Sequence, residues 1–512
     1  MKPFLLYRAR SFDAEQPRGP NVGDLASDLE LQTLFDAMAA GDKFLFEVVS
    51  TVIVSPEDEL DTILYRQAVL RDCLTHASLV RQIYAIAVEA IERERKDFWR
   101  LSNKYPQLNL SRAVDVLRMF LDKLQKLRAI ADEHAPGFES EGFGAFFAML
   151  KRELSDEYLA SITNHLQELS FPDGALISAN LGPYNKGVNY VLRTANPDDR
   201  GWLTRIFGRG MSEYTFRLHP RDESGFTALS ELRDRGINSV ANALAQSADH
   251  VLGFFRLLRS ELAFYLGCLN LHEQLTRKGE PVCFPLPASP GERRYTARGL
   301  YDVCLSLRQE DRVVGSDVNA DARDLVIITG ANRGGKSTLL RAIGLAQLMM
   351  QCGMFAAAES FSASVCRGLF THFKREEDRR LRSGKFDEEL QRMSRIVDHL
   401  RPDSIVLLNE SFAATNEREG SEIARQVISA LIESGIRVFF VTHLYECARS
   451  FYERGMRNAL FLRAERQPDG TRTFKILEGE PLQTSHGEDL YRRIFNSQPQ
   501  SLGDRNSKAS PA

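Results

Sequence analysis

The stretch LVIITGANRGGKSTLL, Leu325 to Leu340, limits the possible folds of this chain more than any other. An apolar run of strand character leads into a loop with three glycines, and the amphipathic helical pattern TLLRAIGLAQLMM leads out of it. A strand, a tight turn and a helix in that order require an α/β layer. The segment Gly330 to Ser337 fits G-x-x-x-x-G-K-[ST]. Its glycines let main-chain N–H groups turn toward phosphate oxygens, and the following helix N-terminus adds partial positive charge. Lys336 is expected to reach the β- and γ-phosphates and Ser337 to ligate Mg²⁺. Gly330, Ala331, Asn332, Arg333, Gly334, Gly335, Lys336, Ser337 and Thr338 are therefore the expected binding residues, with ATP and Mg²⁺ as cofactors.

About seventy residues later SIVLLNE reads as a second apolar strand, ending in Asn409 and Glu410. A strand of this type is expected to lie beside the strand that precedes the glycine loop, so that its end faces the γ-phosphate. Glu410 would orient or deprotonate the attacking water, and Asn409, with Ser337 and Glu410, would hold Mg²⁺. A helix, REGSEIARQVISALIESG, and a third apolar strand, IRVFFVTH, follow, and the latter delivers His443 to a strand end where it can contact the γ-phosphate. Asn409 is the anomaly, because an amide offers an oxygen to a magnesium-bound water but no negative charge. Either turnover is slowed, or Glu410 and Ser337 suffice and the exchange is nearly silent.

At 512 residues the chain is long enough for two or three domains. Its 43% apolar and 26% charged residues describe a folded, soluble protein, and a net charge of -3 leaves any nucleic-acid contact to a local basic surface. The seven cysteines are scattered and never spaced C-x-x-C, which points to buried free thiols and a cytoplasmic protein. The start, MKPFLLYRARSFD, is too short an apolar run for a signal peptide. The most membrane-like stretch, VLGFFRLLRSELAFYLGCLNL, carries Arg256, Arg259 and Glu261 in its middle and reads as a buried helix, so no membrane partner is expected.

From Asp28 to about Leu169 apolar residues recur at helical spacing, broken at SPEDE and APG, and ERERKD at 92–97 reads as a solvated helix face. Short strands are expected between 173 and 220, and a second helical run from Phe226 to about Leu275. Prolines and glycines in RKGEPVCFPLPASPGERR suggest a boundary near 295, and residues 497–512 have the composition of a disordered tail. Before the second strand, RSGKFDEELQRMSRIVDHL opens a helix with a Ser-Gly turn at Ser383 and Gly384. In ABC-superfamily ATPases such a turn serves the γ-phosphate held by the opposite subunit, which predicts a homodimer with composite ATP sites.

With these pieces in order the chain resembles the MutS family of DNA mismatch-repair ATPases. TGANRGGKST is similar to the family's T-G-P-N-M-G-G-K-S-T, with Ala331 for proline and Arg333 for methionine. NESFAATNEREG is similar to D-E-x-x-x-G-T-x-x-x-x-G with Ala414 for glycine, FVTHLYE to F-A-T-H-[YF]-x-E, LRSGKFDEEL to the segment around S-x-F-x-x-E, and QTSHGEDLYRRI to the dimerising tail. DTILYRQAVLRDC is similar to the start of the family's lever and core domain.

The resemblance implies a multidomain protein: an N-terminal segment 1–27, a mainly α-helical lever and core domain over 28–295 with a strand-rich insertion at about 173–220, and an α/β ABC-type P-loop ATPase domain over 296–496. It implies Glu410, His443 and Lys336 as catalytic residues, with Ser383 and Gly384 acting in trans. Mismatch reading does not follow, since the family's Phe-x-Glu wedge is N-terminal and the triplets at Phe386 and Phe451 fall within the ATPase region. The expected function is a slow ATPase that binds DNA, branched or distorted duplex, in repair or recombination. GWLTRIFGRG, from Gly201, suits backbone contact and stacking, or equally a loop over an apolar patch. KREEDRRLRSGK, from Lys374, is mixed in sign and reads as a nucleotide-sensitive loop. The rival readings are an ATP-controlled protein-interaction switch with no DNA role, and an ABC or SMC-type ATPase of another lineage.

Overall fold

The computed structural model describes residues 1–15, 19–98, 106–171, 175–193, 217–219, 221–331, 333–375, 384–466 and 472–481. They form two compact units, one from Met1–Asp13 and Ala68–Leu266, the other from the described residues of Ala14–Gln67 and of Gly267 onward. The boundary expected near residue 295 and this division differ, since residues 14–67 join the C-terminal unit and the N-terminal unit ends inside a helix.

The first unit is built from the helical patterning read in the sequence. Helices span Ala77–Phe98, Pro106–His134, Glu141–Glu153 and Asp156–Glu168, and the break at Ala135–Gly137 is a single 3-10 turn. Ser140 and Ser155 cap the last two helices by accepting from Phe143 N and Tyr158 N, so each begins where a hydroxyl can replace a missing carbonyl partner. Phe120, Phe143, Phe146, Phe147 and Phe255 are fully buried. The segment 92–96 is mostly exposed, as a solvated face requires.

The second helical run is one helix of 55 residues, Glu223–Arg277. Its membrane-like stretch is a core element, and the buried carboxylate in its middle has main-chain partners. Glu261, 0% exposed, accepts a 2.6 Å hydrogen bond from Leu5 N, and Tyr265 Oη donates to Leu5 O at 2.7 Å. A buried carboxylate is tolerated because main-chain donors meet it. Among the described residues no helix is long and apolar enough to cross a membrane.

Of the strand-rich insertion, the described residues contain one antiparallel hairpin, Leu176–Leu181 with Gly187–Arg193. Residues 194–216, with GWLTRIFGRG, lie outside the described residues, as do 376–383, 482–494 and the tail 497–512.

The second unit carries a six-stranded sheet in the order Arg472–Glu478, Ala459–Arg466, Leu325–Thr329, Arg437–Val441, Ile405–Asn409, Leu369–Phe373. All neighbours are parallel except the first pair. Helices Lys336–Gln351, Lys385–Val397, Glu417–Glu433 and Tyr445–Glu453 connect it. A four-stranded sheet, ordered Leu286–Ala288, Ser360–Ser364, Tyr295–Leu300, Ser316–Asn319, belongs to the same unit. The central strands are buried along their whole length, which is why they read as apolar runs rather than alternations.

Two expectations are corrected here. The strand ending at Asn409 does not lie beside the strand leading into the glycine loop, because Arg437–Val441 is inserted between them. After the helix Lys336–Gln351 the chain leaves for the smaller sheet at Ser360–Ser364 and re-enters at the far edge, Leu369–Phe373, from which successive strands fill inward. The helix Lys336–Gln351 is also buried nearly all round instead of amphipathic. Two buried amides on it donate to carbonyls outside the helix: Gln347 Nε2 to Ser364 O at 3.0 Å, and Gln351 Nε2 to Glu57 O at 2.8 Å and Cys366 O at 2.9 Å. The bond to Glu57, with the one from fully buried Arg66 to Cys352 O at 3.5 Å, shows how residues 14–67 are tied into this unit.

Candidate functional site

The glycine loop sits where the parallel sheet meets its central helix. Gly330 has φ 118° and Gly335 has φ 89°, backbone regions that a side chain resists. The neighbouring strand leaves no room either: a Cβ on Gly330 would stand 2.9 Å from Ala464 N, and one on Gly334 2.8 Å from Ala464 Cβ. Lys336 begins the helix, 4% exposed, and its Nζ donates to Gly330 O at 2.8 Å and Ala331 O at 2.9 Å. Arg333, a non-glycine residue at φ 59°, is in the left-handed region. Asn332 lies outside the described residues.

One residue further on, Ser337 Oγ donates to Asn409 Oδ1 at 2.8 Å. The two oxygens meet although a whole strand separates the strand of Asn409 from the one that leads into the glycine loop. Glu410 follows at φ 53°, its N–H donating to Val441 O at 2.8 Å. His443 Nε2 donates to Glu410 Oε1 at 3.0 Å. That bond, assisted by the charges of His443, Lys374 and Lys336 and opposed by partial burial, holds the Glu410 carboxyl below the usual glutamate range. The structure thus gathers Lys336, Ser337, Asn409, Glu410 and His443 at the ends of two strands and the start of one helix. Among the described residues there is no cluster of three or more His, Cys, Asp or Glu side chains able to hold a metal alone. Gly384 is the N-cap of the helix Lys385–Val397, and Ser383 lies outside the described residues.

Sequence reasoning missed three features. A cavity of about 320 Å³ opens beside the loop, lined among others by Tyr301, Arg312, Arg333, Thr338 and Phe474. Phe474 comes from the strand Arg472–Glu478, remote in sequence, with φ 60° and its carbonyl against Gly335. The other two are His372, on the edge strand, and Ser411, next to Glu410. Both are fully buried, and His372 Nδ1 lies 2.7 Å from Ser411 Oγ. A histidine inside LFTHF was the available signal, a polar residue within an otherwise apolar buried strand.

A helical unit and a unit whose glycine loop joins a parallel strand to a helix define a multidomain α/β protein. The MutS2 N-terminal domain profile matches residues 58–278, and that of MutS domain V matches residues 326–499. The chain belongs to the MutS family. It is similar to the DNA mismatch repair protein MutS of Clostridium kluyveri, 33% identical over 165 residues, which are 31% of this chain and 19% of that protein. The Endonuclease MutS2 of Thermus thermophilus is 30% identical over 179 residues, 35% of this chain and 23% of that protein. The human MutS protein homolog 4 is 28% identical over 149 residues, 29% of this chain and 16% of that protein. The matched segments thus span less than a quarter of the length of each of these relatives.

Proposed function

We propose that this chain binds ATP with Mg²⁺ at the glycine loop, hydrolyses it slowly to ADP and phosphate, and uses that cycle to control binding to DNA in repair or recombination. The observation that carries the reading is the 2.8 Å bond between Ser337 Oγ and Asn409 Oδ1 beside Lys336. It brings two hard oxygen donors together at the mouth of a glycine loop, the donor chemistry that Mg²⁺ takes alongside nucleotide phosphates. The residues present therefore fit the ion, and bound there it would neutralise charge developing on the transferring phosphoryl group.

Ser337 and Asn409 would hold the ion, Asn409 through a water. Lys336 would give its ammonium protons to β- and γ-phosphate oxygens in place of the loop carbonyls. Glu410, kept ionised by its bond with His443, would orient the attacking water and take its proton as the bond from the γ-phosphorus to the bridging oxygen breaks. The adjacent cavity is of a size for the nucleoside. Ser383 and Gly384 would serve the γ-phosphate of a partner subunit in a homodimer. We read 28–295 as lever and core and 296–496 as the ATPase domain. The names of the relatives, a mismatch repair protein and an endonuclease, favour a DNA substrate.

The test is steady-state ATP hydrolysis by the wild type, Lys336→Ala and Glu410→Ala, with and without duplex and four-way-junction DNA at two salt concentrations. Hydrolysis by the wild type alone, changed by DNA, and DNA binding that weakens with salt are expected. Failure to bind ATP would sink the nucleotide reading. Hydrolysis indifferent to DNA, with no salt-dependent binding, would leave an ATP-controlled protein-interaction switch.

A further inference from the structure

Glu410, Ser411 and Phe412 form a turn that the backbone resists. Glu410 has φ 53° and Phe412 φ 65°, so two non-glycine residues flanking Ser411 sit in the left-handed region. Such conformations cost on the order of 1–3 kcal/mol each and persist only where surrounding contacts over-determine them. The turn packs against the helix Glu417–Glu433 so closely that a Cβ on Gly420 would stand 2.4 Å from Phe412 O, an approach that only glycine permits. What holds its middle is a single buried polar pair.

Ser411 Oγ lies 2.7 Å from both His372 Nδ1 and His372 O, and Ser411 and His372 are each 0% exposed. The far ring nitrogen, Nε2, is 3.0 Å from Glu389 O, and a carbonyl can only accept, so Nε2 carries the proton and donates. In the neutral ring Nδ1 is then an acceptor, and the hydroxyl proton of Ser411 is shared between Nδ1 and the carbonyl of the same histidine. The His372 ring also lies parallel to Phe412, centroids 5.7 Å apart at 19°. Glu389 belongs to the helix Lys385–Val397, so the imidazole bonds that helix directly. Arg392, one turn further along, donates to Phe373 O at 2.9 Å. The edge strand, the turn bearing Glu410 and the helix capped by Gly384 are therefore fastened at one point.

We infer that His372 is a positioning residue, acting through Ser411 to hold the strained turn that presents Glu410 and to fix that turn to the helix Lys385–Val397. The inference rests on the hydrolytic reading of Glu410 given above. Its consequence is that the presentation of the carboxylate and the disposition of the helix start at Gly384 are not independent: a displacement of either is felt at the other through the imidazole.

The experiment compares the full-length wild type with Ser411→Ala, which removes one oxygen, His372→Phe, which keeps ring volume without hydrogen bonds, and His372→Asn, whose amide can still bond Ser411. ATP turnover and binding of a fluorescent ATP analogue are measured for each. Ser411→Ala and His372→Phe are expected to lower kcat on the order of 10- to 100-fold, the range for a misplaced reacting group. Nucleotide affinity is expected to stay within about twofold, since Lys336 and the loop are untouched. His372→Asn is expected to recover part of the rate. Wild-type kcat in Ser411→Ala overturns the inference, and so does an equal loss of affinity and rate in all variants. If His372→Phe fails to fold, Ser411→Ala decides alone. A wild type that binds but never cleaves ATP overturns the hydrolytic reading and the inference with it. One that cleaves, with Ser411→Ala unaffected, overturns the inference only.

Discussion

Replacing Asn409 by aspartate tests the ion's position most directly. The 2.8 Å contact between Ser337 Oγ and Asn409 Oδ1 fixes where the new charge goes, beside the hydroxyl that would ligate Mg²⁺. Two unit charges about 4 Å apart interact by ~1 kcal/mol in water and ~4 kcal/mol at an effective dielectric of about 20, and a divalent ion doubles both figures. Residue 409 is only partly buried, so the attraction falls toward the lower end, and desolvating the carboxylate offsets part of it. A net gain of about 1.5–3 kcal/mol remains, or roughly 10- to 100-fold in Mg²⁺ affinity. Hydrolysis by Asn409→Asp should therefore reach half its maximum at a free Mg²⁺ concentration lower by that factor, with a faster maximal rate. In chelator the sign reverses: the aspartate repels bare ATP and weakens its binding several-fold. The same half-saturating Mg²⁺ in both proteins, or tighter metal-free ATP binding by the variant, would refute the assignment of residue 409 to the ion.

Two further expectations concern the frame around the site. Burial first, then the Arg392 charge, lowers His372 to about 4, against about 6.5 when unfolded, so the unfolded chain binds the extra proton between these values. This group's contribution to stability is then fully present above about pH 6.5 and is lost as pH falls toward 4, on the order of 3 kcal/mol. Buried Asp28 and Glu389, raised by burial, act with the opposite sign, so the quantity to measure is the difference in denaturation free energy between wild type and His372→Phe across that window. A flat difference would contradict the buried neutral ring. Gly330→Ala must fit a Cβ 2.9 Å from Ala464 N at φ 118°, a strain of about 1–3 kcal/mol. Titration calorimetry should find ATP binding weakened at least about tenfold, and wild-type affinity would show that the loop can reshape.

Much of the α/β unit could be read ahead because its elements carry local signals. Leu325–Thr329, Ile405–Asn409 and Arg437–Val441 are short apolar runs with turn residues after them, and they fall where those runs begin and end. Strand order carries no such signal. A buried parallel strand reads the same in any position, so nothing in SIVLLNE announces that Arg437–Val441 separates it from the loop strand. The helix after the loop looked one-sided because Gln347 and Gln351 are polar, yet both are buried, and their amides find carbonyls far away in sequence. His372 and Ser411 were missed for the same reason. A polar pair thirty-nine residues apart becomes visible only when two strands are laid side by side. Residues 14–67 join the C-terminal unit through contacts such as Arg66 with Cys352 and Gln351 with Glu57, which no local pattern encodes.

The seven free cysteines have a practical consequence for following motion in this protein. Six are buried, and Cys283 is half-buried. Burial pushes Cys283 up to about 11, and Cys304, Cys352, Cys366 and Cys447 up to about 12. Since the thiolate is the reactive form, these thiols are nearly silent toward maleimides at neutral pH while the protein is folded. A cysteine introduced at an exposed position such as Arg418 can therefore carry a spin label or fluorophore in the native sequence background. Distances across the ATP cycle become measurable without first stripping thiols from a close-packed interior.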